Sequence, residues 1–288
     1  MYQTLISTAE LARHLDDPSF VIVDVRHDLS QPETWGRAQY ERAHIPGARF
    51  AHIEHELSAP KSGTNGRHPL PSPEACAAVF GRLGIDEGKQ VVAYDQGGAS
   101  YGARLWWMLR RLGHGAVAVL DGGFAAWARE GQPVTTEVPT VRPTTFVVRG
   151  VMPIVDAEAV AASLPQRSLF LLDARGRERF RGDVEPIDPV GGHIPGAINR
   201  PYLENLGADG TFKSGDQLRA EFGALLADRG TESVVHYCGS GVTACLNLLA
   251  MEHIGMGGTR LYPGSWSEWC ADPGRPLARG DAEPAAKP

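Results

Sequence analysis

The sequence predicts an α/β fold in two tandem domains, each a mainly parallel β-sheet flanked by helices, related by internal duplication. Apolar strand-like runs alternate with helix-like segments, which favours parallel sheets. The segments follow the same order in both halves, and the pentapeptide His-Ile-Pro-Gly-Ala occurs at 44–48 and again at 193–197. In each half it begins 20 positions after an aspartate in an apolar run, Asp24 or Asp173. Equal order and spacing indicate a duplicated domain.

The first half supplies the elements that such a domain requires. Ser7 and Glu10 form a capping-box pattern ahead of an apolar periodicity, so a helix is expected there. We predict strands at 20–26, 91–95 and 116–120, and an amphipathic helix at 102–112.

The second half repeats this order. A helix begins near Val155, and segment 262–269 corresponds to 121–127 of the first half. Strands are predicted at 169–175 and 234–238, followed by a helix at 244–251. Prolines and glycines punctuate the stretch between the halves. We therefore expect a first domain at 1–131, a linker at 132–153 and a second domain at 154–288.

Composition excludes several classes of function. The chain has 288 residues, 42% of them hydrophobic, and a net charge of -6, which gives no support for binding nucleic acid or an anionic membrane. No apolar run approaches the roughly 20 residues that span a bilayer, and the N-terminus lacks a signal-peptide pattern. The four cysteines include no C-x-x-C pair, so we expect reduced thiols, no metal site and a cytoplasmic location.

The most informative stretch is the apolar run that ends at Cys238. Small residues and glycines follow, and then the helix at 244–251. A cysteine between a strand and a helix N-terminus would lie in a cup of backbone N–H groups, which stabilises a thiolate. Gly239 and Gly241 would let those amides approach a bound anion. The alternative is a buried structural cysteine, the common fate of a free thiol.

The two halves differ in ways that bear on this chemistry. Asp95 stands in the first half where Cys238 stands in the second, so the first half cannot supply a sulfur nucleophile. The first half is also six residues longer between its pentapeptide and this position, and the extra residues fall in the polar loop 58–69. Features that occur in both halves, namely the pentapeptides and the Asp-x-Arg sequences at 24–26 and 173–175, are expected to be structural.

Other candidates are weighed against simpler interpretations. Cysteine phosphatases need an arginine six residues after the nucleophile, but that position holds Ala244, which argues against phosphate ester hydrolysis. His236 would face the same side of its strand as Cys238, and a buried structural role is favoured over a direct one. Cys245 is expected in the core, and Cys76 and Cys270 are expected to be structural or surface thiols.

Together these features resemble the rhodanese family, specifically its two-domain sulfurtransferases. The resemblance covers nearly the whole chain and includes Cys-Gly-Ser-Gly-Val-Thr-Ala at 238–244 and Gly-Ser-Trp-Ser-Glu-Trp at 264–269. The cysteine loop is most similar to that of 3-mercaptopyruvate sulfurtransferases, whereas thiosulfate sulfurtransferases carry basic residues after the cysteine. Ser240 is neutral, which suits a pyruvate enolate that needs a proton better than a departing sulfite dianion.

The resemblance implies roles for residues outside the loop. Ser240, His68 and an acidic residue, best aligned with Glu54, would form a relay in which the histidine comes from the first domain. Without the resemblance, His68 would be interpreted as a solvated loop histidine. The family pattern assigns substrate binding to Arg179, and we group it with the loop residues Gly239, Gly241, Val242 and Thr243. The pattern also has a second arginine where this chain has Asp188.

The resemblance thus implies transfer of a sulfane sulfur through a persulfide on Cys238 to cyanide, a small thiol or a thioredoxin-like protein. No cofactor is required. 3-Mercaptopyruvate is the favoured donor, and thiosulfate is the alternative. A different class also fits the sequence, a persulfide carrier or sensor with little turnover.

Overall fold

The computed structural model describes residues 1–281, which form two compact units. Unit 1 comprises Met1–Ala59, Leu70–Met152 and Leu206–Phe212. Unit 2 comprises Pro60–Pro69, Pro153–Asn205 and the described residues from Lys213 onward. The units thus depart from a division into two continuous ranges, since each half contributes one short segment to the other unit. The stretch at 132–152 belongs to unit 1.

Unit 1 is built on a parallel sheet of five strands within the described residues, in the order β1-β5-β4-β2-β3. The central strands β2 and β4 pair over their full length, with Val23 opposite Ala93. Their apolar, β-branched residues suit strands buried on both faces. The strands are β1 (Leu5–Ile6), β2 (Phe20–Asp24), β3 (Arg49–Phe50), β4 (Gln90–Tyr94) and β5 (Val117–Leu120); the helices are α1 (Thr8–Ala12), α2 (Trp35–Arg42), α3 (Pro73–Arg82), α4 (Ser100–Arg111) and α5 (Gly123–Arg129).

Unit 2 repeats the design with a parallel sheet of four described strands in the order β7-β6-β8-β9. Val235 of the central strand β8 lies opposite Leu171 of β6. The strands are β6 (Phe170–Asp173), β7 (Ile198–Asn199), β8 (Val234–Tyr237) and β9 (Arg260–Leu261); the helices are α6 (Ala157–Ser163), α7 (Arg177–Arg181), α8 (Gly215–Leu226), α9 (Ala244–His253) and α10 (Ser265–Trp269), with 3-10 turns at Tyr202–Asn205 and Thr231–Ser233.

The predicted α/β class with parallel sheets is confirmed, and the element boundaries move for local reasons. Ser7 caps α1 in a full capping box, as predicted. The strand predicted at 169–175 ends at Asp173 because that carboxylate accepts the backbone N–H of Arg175 at 2.9 Å and turns the chain. The helix predicted at 244–251 continues to His253.

The duplication extends to individual hydrogen bonds. In unit 1 the carbonyl of Asp95 accepts the N–H of Phe124 at 2.8 Å, and in unit 2 the carbonyl of Cys238 accepts that of Trp266 at 3.0 Å. These bonds confirm that Asp95 and Cys238 are equivalent positions. The paired Asp-x-Arg sequences also match, because the closest ion-pair contact is 2.7 Å in each: Arg26 with Asp24, and Arg175 with Asp173.

Each unit packs its own hydrophobic core around one or more buried tryptophans. Trp127 is fully buried in unit 1, and Trp266 and Trp269 are fully buried in unit 2. Their indole N–H groups donate to backbone carbonyls, so these large side chains bury no unpaired polar atom. No helix within residues 1–281 combines the length and apolar character needed to cross a bilayer.

Candidate active site

Cys238 follows the last residue of β8 and is held by its backbone on both sides. Its N–H donates to Oγ of Ser265 at 3.1 Å, and that hydroxyl donates to the carbonyl of Tyr262 at 2.9 Å. Its carbonyl accepts the N–H of Trp266. The cysteine is 1% exposed. The turn after β9 therefore fixes the position of the cysteine at the carboxyl end of the sheet.

The residues after Cys238 form a loop in which several amide groups remain available. Helix α9 begins at Ala244, and its N-cap residue Thr243 makes no side-chain capping bond. Buried N–H groups are almost always paired, so donors left open at a helix N-terminus favour an anion there. Five amides of this loop have no hydrogen-bond acceptor within residues 1–281: those of Gly239, Ser240, Val242, Thr243 and Ala244.

In the equivalent loop of unit 1, the carboxylate of Asp95 accepts backbone N–H groups. One carboxyl oxygen of Asp95 accepts the N–H groups of Gly97 and Ala99 at 3.0 and 3.1 Å. The other accepts those of Tyr101 and Gly102 at 2.9 and 3.4 Å. Burial raises the pKa of Asp95, and these amide donors act in the opposite direction. The scaffold thus gathers N–H donors around an acidic group at this position.

Gly241 is the residue that the loop geometry requires most strictly. Its φ is +73°, and a Cβ at this position would lie 2.2 Å from the carbonyl oxygen of Pro263. Any other residue would be strained and would also collide with rigid backbone. Gly239 is different, since the atoms nearest to a Cβ there would be the ends of two arginine side chains.

The structure brings Ser240 together with His68. Oγ of Ser240 and Nδ1 of His68 are 2.7 Å apart, and both residues are buried. The interpretation of His68 as a solvated loop histidine is therefore wrong. His68 belongs to Pro60–Pro69, the segment of the first half that is part of unit 2, so this pair lies within one unit.

Residues next to His68 anchor the segment to the loop after β9. The N–H of Arg67 donates to Oγ of Ser267 at 2.9 Å. A Cβ at Gly66, whose φ is +85°, would lie 2.9 Å from the carbonyl oxygen of Gly264, so the chain passes very close to this turn. These contacts fix the backbone on which His68 is carried.

Arg179 is placed beside the cysteine loop by two carboxylates. It donates to Glu185 from Nε and Nη2 and to Asp188 from Nη2, the last at 2.9 Å. Its Nη1 lies 3.6 Å from the position that a Cβ at residue 239 would occupy, called here the Cβ position of Gly239. Burial raises the pKa of Glu185, but hydrogen bonds from Arg179 and backbone amides outweigh it and hold that pKa below its ordinary value.

Asp188 bridges Arg179 to a second arginine that the sequence did not single out. Its Oδ1 accepts Nη1 of Arg67 at 2.5 Å, and its side chain is 3% exposed. Nη2 of Arg67 lies 2.8 Å from the Cβ position of Gly239. The signal for this residue was the longer polar loop of the first half, in which Arg67 directly precedes His68.

The remaining predicted residues are placed as follows. Val242 and Thr243 lie in the cysteine loop. Glu54 belongs to unit 1, where its carboxylate lies 3.6 Å from Nε2 of His27, and its part in the relay stays a prediction. His236 is fully buried in β8 with no partner for either ring nitrogen among the described residues, and burial lowers its pKa to about 3.

The other thiols differ from Cys238 in their surroundings. Cys245 lies in α9, and its Sγ is 3.4 Å from the carbonyl of Gly241. Burial raises the pKa of Cys76, and it raises that of Cys270 to about 11. Cys76 and Cys270 are both buried, so the expectation of structural thiols fits them better than that of surface thiols.

Comparison with known proteins places this site in a family. The model of the rhodanese-like domain matches residues 7–130 and 156–272. A Pseudomonas aeruginosa protein named probable 3-mercaptopyruvate sulfurtransferase is 46% identical over 280 residues, which cover 96% of this chain and 98% of the relative. The thiosulfate sulfurtransferase of Mus musculus is 35% identical over 281 residues, covering 93% of this chain and 92% of the relative.

A solved structure agrees with these relatives. The 3-mercaptopyruvate sulfurtransferase from Leishmania major superposes with a TM-score of 0.81 at 31% sequence identity, covering 93% of this chain and 74% of that one. The similar proteins therefore share a reaction type, while their names differ in the sulfur donor.

Proposed function

We propose that this chain, which belongs to the rhodanese family, is a sulfurtransferase that moves a sulfane sulfur from 3-mercaptopyruvate through a persulfide on Cys238 to a thiophilic acceptor. The observation that carries the choice of donor is the buried Ser240–His68 pair. Ser240 lies two residues beyond Cys238 in the same loop. A proton source at this place serves a donor whose leaving group must be protonated.

The first half-reaction breaks a carbon–sulfur bond. The Cys238 thiolate attacks the sulfur of 3-mercaptopyruvate, and a sulfur–sulfur bond forms as the bond to C3 breaks. The electron pair remains on carbon as the enolate of pyruvate. The Ser240 hydroxyl delivers a proton to that carbon and is reprotonated from Nδ1 of His68. Pyruvate leaves, and the persulfide stays in the loop.

Open amides support the intermediate. The persulfide keeps the proton of the donor's thiol on its outer sulfur until it ionises and releases that proton to solvent. The N–H groups after Cys238 together with the N-terminus of α9 stabilise the resulting anion. In the second half-reaction an acceptor, either cyanide, a small thiol or a thioredoxin-like dithiol, attacks that sulfur, and the thiolate of Cys238 is regenerated. None of these steps requires a metal or an organic cofactor. The cytoplasmic location stays a prediction.

Thiosulfate is the second candidate donor because relatives of that name also match over nearly their whole length. Its sulfur transfer breaks a sulfur–sulfur bond and releases sulfite, which needs no proton. Comparing kcat/KM for both donors with cyanide as acceptor tests the proposal. We expect the larger value for 3-mercaptopyruvate, and a larger value for thiosulfate would refute the donor assignment.

A persulfide carrier differs from an enzyme in turnover. The carrier would gain one sulfur from the donor but pass it to no acceptor at a catalytic rate. Multiple turnovers per Cys238 with cyanide or a thiol exclude the carrier, and a single turnover would favour it.

A further inference from the structure

We propose that Arg67, positioned by Asp188, binds the carboxylate of the sulfur donor together with Arg179. The inference rests on the proposed function and adds to it a residue of the donor site. It also explains the role of Asp188, which in the sequence alone only marks the loss of an arginine of the family pattern.

The first support is convergence of two guanidinium groups on one point of the cysteine loop. The Cβ position of Gly239 lies 2.8 Å from Nη2 of Arg67 and 3.6 Å from Nη1 of Arg179. Because residue 239 directly follows Cys238, an anionic donor whose sulfur meets that cysteine has its charged end within reach of both groups. A side chain larger than glycine at 239 would occupy this space.

The second support is the way each arginine divides its donors. Arg67 uses Nη1 for Asp188, and its buried Nε has no partner among the described residues. Arg179 uses Nε and Nη2 for its carboxylates, so its Nη1 is left on the side of the loop. Since guanidinium donors bind carboxylates through pairs of parallel N–H groups, these remaining donors suit a planar carboxylate.

Asp188 makes the arrangement possible. Two guanidinium groups repel each other, and the side chain of Arg67, which unlike Arg179 has no bond to Glu185, would otherwise be free to turn towards solvent. One oxygen of Asp188 holds Arg67 at 2.5 Å and the other holds Arg179 at 2.9 Å, in a side chain that is 3% exposed. Asp188 is thus a positioning residue, and the second cation of the site comes from residue 67.

The test compares Arg67→Met with Arg67→Lys and with a matched control, Arg177→Met. Arg177 lies in the same helix as Arg179, but its side chain is 65% exposed and pairs with Glu204. For Arg67→Met we expect the KM for 3-mercaptopyruvate and the Ki of pyruvate against thiosulfate each to rise about 10- to 100-fold, because bonds to a charged group are lost. Arg67→Lys should restore part of the loss, and Arg177→Met should change neither constant.

A merely structural Arg67 gives a different result. It would lower kcat by displacing His68 and leave the Ki of pyruvate unchanged, which would overturn the inference. Turnover of neither donor by the wild-type protein would instead contradict the proposed function. Wild-type turnover combined with an unchanged Ki in Arg67→Met contradicts the inference alone.

A double substitution tests the positioning by Asp188. Asp188→Ala should raise the Ki of pyruvate, and Asp188→Ala combined with Arg67→Met should raise it much less than the product of the two single effects, because both remove one interaction. If the Ki of the double variant rises by the full product of the two single effects, Asp188 acts independently of Arg67, and this result would refute the positioning.

Discussion

Oγ of Ser240 lies 2.7 Å from Nδ1 of His68, although 172 positions separate them in the sequence. The contact joins the cysteine loop to a segment that the first half of the chain contributes to unit 2. It places a buried hydroxyl and imidazole in the loop that follows Cys238, the residue for which we propose the persulfide. Its consequences for the two donors differ, and that difference can be measured.

Substitution of Ser240 or His68 should lower turnover of 3-mercaptopyruvate more than turnover of thiosulfate. For Ser240→Ala and His68→Asn we expect kcat with 3-mercaptopyruvate to fall on the order of 10²-fold or more, the usual size of a general acid effect. The loss with thiosulfate should be several-fold smaller, since sulfite leaves without a proton. Steady-state kinetics with both donors gives the comparison, and equal losses would remove the relay.

Gly241→Ala should destabilise unit 2 more than the same change at Gly255. Both glycines have positive φ, +73° and +81°, but only a Cβ at 241 meets backbone, at 2.2 Å, whereas none lies within 4 Å at 255. Gly255→Ala should cost about 1 kcal/mol through backbone strain alone. Gly241→Ala should cost clearly more and also lower activity. Urea unfolding of the two variants measures the difference, and equal costs would show that the loop relaxes around the methyl group.

Asp95 should be essential to the stability of unit 1 and irrelevant to donor binding. Asp95→Ala leaves the amides of Gly97, Ala99, Tyr101 and Gly102 without their acceptor. We expect a loss on the order of 2 kcal/mol or more in unfolding free energy, because buried donors without a partner are costly. The KM for the donor should not change. A variant as stable as the wild type would contradict the assignment of Asp95 as the acceptor for these amides.

His236 should contribute to acid denaturation. Burial lowers its pKa to about 3 from an ordinary 6.5. Between these values the unfolded chain binds a proton that the folded chain does not. The part of the unfolding free energy that depends on a neutral His236 is therefore fully present above pH 6.5. It falls as the pH drops towards 3, by about 1.4 kcal/mol per pH unit at most.

Replacing His236 by leucine tests this sign. Neither ring nitrogen has a partner within residues 1–281, so the apolar side chain should not reduce stability at pH 7. The dependence of unfolding free energy on pH between 6.5 and 4 should become shallower. An unchanged slope would show that His236 is not among the groups responsible.

The sequence predicted the parts of this molecule that depend on local pattern. Alternating apolar runs, a repeated pentapeptide and the equal spacing from Asp24 and Asp173 were enough for two parallel α/β domains. The cysteine loop was recognisable because glycines follow Cys238 directly. These features depend on residues that are close together in the sequence, so periodicity and turn chemistry predict them.

The parts that depend on long-range contacts were not predictable in the same way. The burial of His68 follows from the docking of Pro60–Pro69 in unit 2, which no local pattern encodes. The substitution at Asp188 looked like a missing cation because its partner, Arg67, lies 121 positions away. Only the three-dimensional structure shows that one carboxylate holds two arginines.

The persulfide itself is tested most directly by intact-mass measurement after a single exposure to 3-mercaptopyruvate without acceptor. The wild-type protein should gain the mass of one sulfur atom, located on the peptide that contains Cys238, and release one equivalent of pyruvate. The Cys238→Ser variant should gain none, although Cys76, Cys245 and Cys270 remain. A gain of sulfur in Cys238→Ser, or no gain in the wild type, would contradict the assignment of Cys238 as the sulfur carrier.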